Sequence, residues 1–228
     1  MKIAIIPARG GSRRIPKKNV KNFLGKPIIA YSIELAINCG LFDKVIVSTD
    51  SKEISKIAIK YGAQIPFLRP KELADDFTGT HEVIGHAIKS LEKNNYKIDY
   101  ACCIYPTAPL IKKNDIIKGF KLLKKEKWDT VIAATSYSYP VHRSFTKSKS
   151  GGLKMIFPKH FKSRSQDLPI VYHDAGMFYW GKSNFWKKPN DGFNTKNSII
   201  DIPNYRVQDI DTIDDWKKAE FIYKIINK

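Results

Sequence analysis

Residues Ile6 to Asn19 read IPARGGSRRIPKKN, setting two glycines, a serine and five basic side chains directly behind an apolar run. Such a loop has a definite chemistry open to it. Backbone N–H groups in a glycine-containing turn converge on anion oxygens, while arginine and lysine neutralise the charge. The pattern is neither G-x-x-x-x-G-K-[ST] nor G-x-G-x-x-G, the two common phosphate fingerprints. A solvated basic loop has the same composition, so both readings stay open here. Towards the other end, DIDT puts Asp209 and Asp211 on one side of an extended segment, because residues two apart share a face there. Two hard oxygen donors suit Mg²⁺, which keeps several of its waters. Asp211, Thr212, Asp214 and Asp215 equally suit the N-terminus of a following helix.

Elements are needed to hold such groups together. KIAII (2–6), KVIVSTD (44–50), DYACCIYPTAPL (99–110) and TVIAAT (130–135) have the short apolar character of buried strands. Between them lie amphipathic stretches: 26–40, with Pro27 in its first turn and Gly40 at its end; 51–62, closed by Gly62; 80–95; and 114–127, capped by Asn114. Residues 63–70 are strand or merely extended. This alternation predicts an α/β fold, a Rossmann-like three-layer sandwich whose mostly parallel twisted sheet is covered on both faces. AGMFYWG (175–181) and NSIIDIP (197–203) resume strand character, with His173 and Asp174 just before the first of them. An acidic-capped helix is expected over 209–228. Residues 136–170 are rich in Ser, Lys, Tyr and Pro and form a loop or hairpin excursion within one domain spanning 1–228.

Composition narrows the field less than its extremes suggest. The net charge of +18 comes from 40 Lys and Arg against 22 Asp and Glu, which suits nucleic acid, anionic lipid or a polyanionic small substrate. Only seven of the 40 are arginine, the usual bidentate phosphate and base-edge reader. The three cysteines lack metal-ligand spacing, and Cys102 and Cys103 point to opposite faces of a strand. Buried thiols in a reducing, cytoplasmic compartment are expected. No apolar run approaches the length of a membrane span, and the opening apolar patch is too short for a signal sequence.

In open α/β sheets ligands sit beyond the carboxyl ends of the strands, where several polar tails of this chain fall. The motifs there, taken in order, are IAIIPARGGSRRIPKKN, VSTD (47–50), LRP (68–70), ELADD (72–76), YPTAPL (105–110), RSQDLP (164–169), HDAGMFYW (173–180) and DIDT (209–212). Together they resemble the CMP-sugar synthetases, the cytidylyltransferases that act on sialic acids and related ulosonic acids. FTGTHEV, KSRSQDLP and YHDAG look most like the branch that activates pseudaminic acid. The resemblance covers essentially the whole chain.

It implies that Ala8, Gly10, Gly11 and Ser12 cradle the CTP triphosphate with Arg9 and Lys18 as cationic partners, while Asn19 contacts the nucleotide. Arg14 is expected to face solvent. Arg69, Thr80, Tyr105, Thr107 and Ala108 fall where the family recognises cytosine and ribose. Sialic acid enzymes have Gln at the position of Tyr105 and Asn at that of Asp174. The excursion would reach across a homodimer, with Arg143, Lys162, Arg164, Gln166, His173 and Asp174 binding the sugar; an arginine fork suits its carboxylate. The implied activity is Mg²⁺-dependent transfer of CMP from CTP to the anomeric hydroxyl of a nonulosonic acid, with Arg9, Lys18 and Asp211 catalytic and Asp209 and Asp211 as metal ligands. Legionaminic, N-acetylneuraminic and Kdo-type acids are the alternative sugars. A basic nucleic-acid-binding module is the alternative of another class, and it lacks a groove-reading motif. Neither nucleic acid nor membrane is an expected partner.

Overall fold

The computed structural model describes residues 1–125, 127–189 and 196–227. The chain begins with β1 (Lys2–Pro7), a small hairpin of β2 (Asn22–Phe23) and β3 (Lys26–Pro27), and α1 (Ile28–Asn38). It continues through β4 (Lys44–Ser48), α2 (Lys52–Lys60), α3 (Thr80–Glu92), β5 (Tyr100–Ile104), α4 (Lys113–Lys125) and β6 (Thr130–Ser136). A second hairpin, β7 (Phe145–Lys147) and β8 (Leu153–Met155), precedes β9 (Tyr172–Lys182), α5 (Ser183–Lys187), β10 (Asn197–Asp201) and α6 (Ile213–Ile226). Six strands make the central sheet in the order β10-β6-β9-β5-β1-β4.

Strand alternation explains the layers. In β1, Ala4 and Ile6 pack with Ile29 and Ile33 of α1 on one face. Ile3 and Ile5 pack with Ile84 and Ile88 of α3 on the other. Cys102 and Cys103 divide between the same two faces, and with Cys39 they are free and buried. Burial pushes all three thiols above their ordinary range. Helices therefore cover both faces, as the alternation of apolar strands and amphipathic stretches predicts.

One strand runs against the rest. β9 is antiparallel to both neighbours, β5 and β6, whereas the β1–β4, β1–β5 and β6–β10 pairs are parallel. The excursion leaves β6 at its carboxyl end and makes no crossover, so the returning strand must run backwards. Its pairing with β6 shifts register between Ile132 and Ala134, close to Gly176, whose φ of 61° is left-handed and favours glycine.

Local details depart from the sequence expectations for identifiable reasons. α1 starts at Ile28, because Lys26 and Pro27 pair with Phe23 and Asn22; Pro27 is the N-cap and not a first-turn residue. Residues 63–70 contribute one bridge, Gln64 to Ile46, and no named strand. Asn114 lies inside α4; the Asp115 carboxylate there accepts the Lys112 N–H at 3.0 Å. Asp115 also pairs at 2.8 Å with buried Arg206, tying the start of α4 to the turn after β10. His173 and Asp174 stand within β9, which starts earlier than the apolar run suggests. Among the described residues no helix is long and apolar enough to cross a membrane.

Candidate active site

Two distant pieces of chain meet because each carries one buried isoleucine. Ile15, from the basic loop, and Ile210, between the two acidic residues, share an apolar cluster with Phe23, Ile28, Trp216 and Ala219. Burying Ile210 turns Asp209 and Asp211 outward together, since neighbours in an extended segment alternate. Arg14 immediately precedes Ile15, and its guanidinium lies 2.7 Å from Asp211 Oδ1. Lys18 donates to the Ile210 carbonyl at 2.6 Å and stands 3.6 Å from Asp211. Arg14 is exposed, as expected, and its side chain also lines the mouth of the adjoining cleft.

A cleft of about 590 Å³ opens beyond the carboxyl end of β1. Arg9, Ser12, Arg13, Arg14, Lys18 and Asn19 line one wall; Arg69, Asp75, Asp76, Thr80, Tyr105 and Thr107 line the other. Carboxylates bridge the walls. Asp76 pairs with Arg9 at 2.7 Å and Arg13 at 2.5 Å, and Arg9 also donates to the Asp75 carbonyl. Asp75 is held by Phe77 and Thr78 N–H groups at 3.0 and 2.7 Å, and these bonds lower its pKa.

The remaining loop groups have defined partners. Gly10 N–H donates to Asp50 Oδ1 at 2.9 Å, which places this turn against β4. A Cβ added at Gly11 would meet nothing within 4 Å, so its backbone is open to approach. Buried Asn19 donates to the Arg9 carbonyl at 2.9 Å and so shapes the loop from beneath. Ala8 and Ala108 are buried and do not line this cleft. Arg69 is buried; it donates to the Ser48 carbonyl and hydroxyl at 2.5 and 3.2 Å, and desolvation lowers it to about 10.

The sugar-binding candidates do not gather in the same way. Arg164 forks onto Asp167 at 2.7 and 3.1 Å, Arg143 reaches Ser165 at 3.4 Å, and Lys162 and Gln166 are exposed. None of these four lines the cleft. His173 shares a 2.8 Å hydrogen bond with the Asp174 carbonyl and packs on Tyr137. Asp174 lines a second cavity of about 290 Å³ with Thr80, Tyr105, Tyr179, Phe185 and Trp186. Asp50, Asp76 and Tyr179 carry no role in the sequence reading, although VSTD, ELADD and HDAGMFYW contain them.

The helix-cap question at the acidic segment has a clear answer. Thr212 is the N-cap of α6 and forms a capping box with Asp215. The Asp211 carboxylate has no part in that box, although the Asp211 N–H also donates to Asp215 at 3.2 Å. Partial burial, then the charge of Asp211, raises the Asp209 pKa. Two carboxylates that repel each other suit a divalent cation that brings its own waters. They are too few for a closed cage, and among the described residues no group of three or more His, Cys, Asp or Glu could hold a metal.

An open α/β sheet with a cation-lined cleft at its carboxyl edge defines the class: a nucleotide-handling enzyme. A family model described as cytidylyltransferase matches residues 3–178, and the chain belongs to that family. It is 44% identical over 223 residues to pseudaminic acid cytidylyltransferase of Campylobacter jejuni, covering 98% of this chain and 96% of that one. It is 40% identical over 180 residues to N-acylneuraminate cytidylyltransferase of Escherichia coli, covering 78% of this chain and 41% of that one. A solved CMP:2-keto-3-deoxy-manno-octonic acid synthetase complexed with CTP shares the fold at a TM-score of 0.75 and 13% identity, covering 99% of each chain.

The bridging carboxylate gives the first prediction. If the cleft takes a triphosphate, that ligand would displace Asp76 from Arg9 and Arg13. Each partly exposed pair is worth roughly 0.2–1 kcal/mol, so Asp76→Asn is expected to tighten CTP binding about fivefold at low salt. Calorimetric titration of CTP checks this; weaker binding would show that Asp76 holds the arginines in place for the ligand.

Proposed function

We propose that the protein transfers CMP from CTP to the anomeric hydroxyl of a nonulosonic acid, pseudaminic acid, and releases pyrophosphate. The observation that carries the sugar is the likeness to the C. jejuni enzyme along 98% of the chain. The cation-lined cleft supports the nucleotide half. Arg9, Lys18, the open backbone at Gly11 and the Ser12 side chain hold the triphosphate, the Gly10 and Ser12 N–H groups being taken by Asp50 and the Gly10 carbonyl, and the sugar hydroxyl attacks the α-phosphorus in line. These residues work by positioning and by neutralising charge that grows on the leaving pyrophosphate. Lys18 is suited to this, because its ammonium sits between Asp211 and the open cleft.

Asp209 and Asp211 would hold Mg²⁺, which supplies Lewis-acid stabilisation of phosphate charge when bound. No histidine lines the cleft among the described residues. Mg²⁺ would lower the pKa of the attacking hydroxyl when bound, with Asp211 nearby, and no dedicated base is assigned. Asp211→Asn should leave α6 intact, since Thr212 and Asp215 cap it. Loss of several kcal/mol of charge stabilisation converts to roughly a thousandfold slower turnover. The expected variant melts like wild type, binds CTP and is nearly inactive; wild-type turnover at limiting Mg²⁺ would remove Asp211 from the metal site.

The chain is read as one nucleotidyltransferase domain with 136–170 as an insertion that crosses a homodimer. Exposed Tyr139, Phe145, Leu153, Phe161 and Ile170 crowd this excursion, and clustered exposed apolar groups mark contact surfaces. Arg143, Lys162, Arg164 and Gln166 would then complete the partner's site. Light scattering should report a dimer. Mixing inactive Arg9→Ala and Arg164→Ala subunits should restore part of the activity, because one site of the heterodimer carries neither lesion. A fully active monomer would overturn the arrangement.

The buried free thiols support a reducing, cytoplasmic setting. The sugar assignment is tested by pyrophosphate release across pseudaminic, legionaminic, N-acetylneuraminic and Kdo-type acids. Pseudaminic acid should give the highest kcat/KM by at least tenfold; preference for another acid would reassign the substrate.

A further inference from the structure

Four side chains join the cleft to the second cavity. Thr80 and Tyr105 line both spaces. The Thr80 hydroxyl lies 3.1 Å from the Tyr105 hydroxyl, which donates to Tyr179 at 3.3 Å. Tyr179 donates in turn to Asp174 Oδ2, while Asp174 Oδ1 accepts the Gly176 N–H at 2.8 Å. The left-handed Gly176 makes that last bond possible by turning its N–H back onto the side chain two residues earlier.

Counting protons gives this chain a direction. A carboxylate only accepts, and a hydroxyl has one proton to give. Tyr179 gives its proton to Asp174, and Tyr105 gives its own to Tyr179. Thr80 must therefore donate to Tyr105, which settles the one bond whose direction the distances leave open. The Thr80 oxygen is left with lone pairs alone. We infer that Tyr179 is a positioning residue that fixes the polarity of this chain, so that Thr80 reads a neutral N–H or O–H donor on a bound substrate. The inference rests on the proposed cytidylyl transfer, and the donor belongs either to the nucleotide or to the sugar.

The surroundings keep the polarity intact. Burial raises Tyr105 to about 12 and, with the neighbouring Asp174 carboxylate, pushes Tyr179 above the ordinary phenol range. Both hydroxyls remain protonated donors at any working pH. A substrate that offers an acceptor where the donor belongs would face an oxygen with no proton to share, and an unmade buried hydrogen bond is costly.

Two substitutions separate this role from a structural one. Tyr179→Phe removes the hydroxyl but keeps the ring, leaving Tyr105 free to donate to Thr80. Asp174→Asn acts differently. Gly176 N–H still requires an acceptor, so the amide oxygen stays there and the new NH₂ group faces Tyr179. Every proton in the chain then points the other way, and Thr80 becomes a donor.

The measurement is a pair of selectivity ratios, CTP over UTP and hydroxyl sugar over its fluoro-for-hydroxyl analogues, each as kcat/KM. Either ratio is expected to fall more than threefold in both variants, with melting temperature held. A change in the CTP ratio assigns the donor to the base amine, and a change in the sugar ratio assigns it to that hydroxyl. A structural defect would slow both members of a pair alike and leave the ratios in place. Ratios within threefold of wild type overturn the inference; Asp174→Asn, nearly isosteric, decides it if Tyr179→Phe fails to fold. A wild-type protein that turns over none of the sugars would overturn the proposed transfer instead, and the CTP-to-UTP ratio of dissociation constants would still judge the chain.

Discussion

Like-charge repulsion within the opening loop is the constraint around which the site is built. Arg9, Arg13, Arg14 and Lys18 stand within ten residues of one another, and all four line one cleft. Concentrating cations this way destabilises a loop unless compensating charge is at hand. The fold supplies it from two sides: Asp76, just ahead of α3, takes Arg9 and Arg13, and Asp211, just ahead of α6, takes Arg14 and Lys18. Each carboxylate comes from a different stretch of chain, so the loop is held open between them. Its cations face the space where phosphate oxygens would lie.

Holding those two carboxylates in place requires the larger architecture. Asp211 depends on the apolar cluster that joins Ile15 to Ile210 and Trp216, and on a capping box that leaves Asp211 outside the helix. Asp76 follows the segment fixed by Arg69, whose guanidinium is buried against Ser48 at the end of β4. The basic loop thus reports on the sheet edge, on α6 and on the approach to α3 at once. A defect in any of these would reach the cleft as misplaced charge.

The layered α/β sheet was legible in the sequence because apolar strands and amphipathic helices follow different periods. Cys102 and Cys103 illustrate it: their opposite faces follow from strand geometry alone. The backward run of β9 was not legible, since direction depends on where the excursion returns and leaves no mark on AGMFYWG. Pro27 misled for a related reason. Proline suits both an N-cap and a first turn, and the two-residue pairing with Phe23 and Asn22 decided between them. Within the site, glycine and cation types pointed to the loop, but their partners were hidden. Asp76 and Asp211 are far apart in sequence, and an ion pair across a cleft has no local signature. A lone isoleucine inside each charged stretch, Ile15 and Ile210, was the one available hint.

The tyrosine pair shows how chemistry and fold can be coupled through a single strand. β9 alone neighbours both β5, which leads into Tyr105, and β6 across the sheet. Its antiparallel run brings Asp174 to the carboxyl edge of the parallel strands, where the other strands deliver their own polar tails. Its bulge at Gly176 then lets the Asp174 carboxylate accept from Tyr179 on the same strand, five residues along. A regular strand would set residues five apart on opposite faces and well separated. The irregularity that reverses this relation is therefore what links the cleft, by way of Tyr105, to the cavity beside it. Tyr105 and Asp174, the two positions that depart from the sialic acid pattern, are thus members of one connected path rather than two independent contacts.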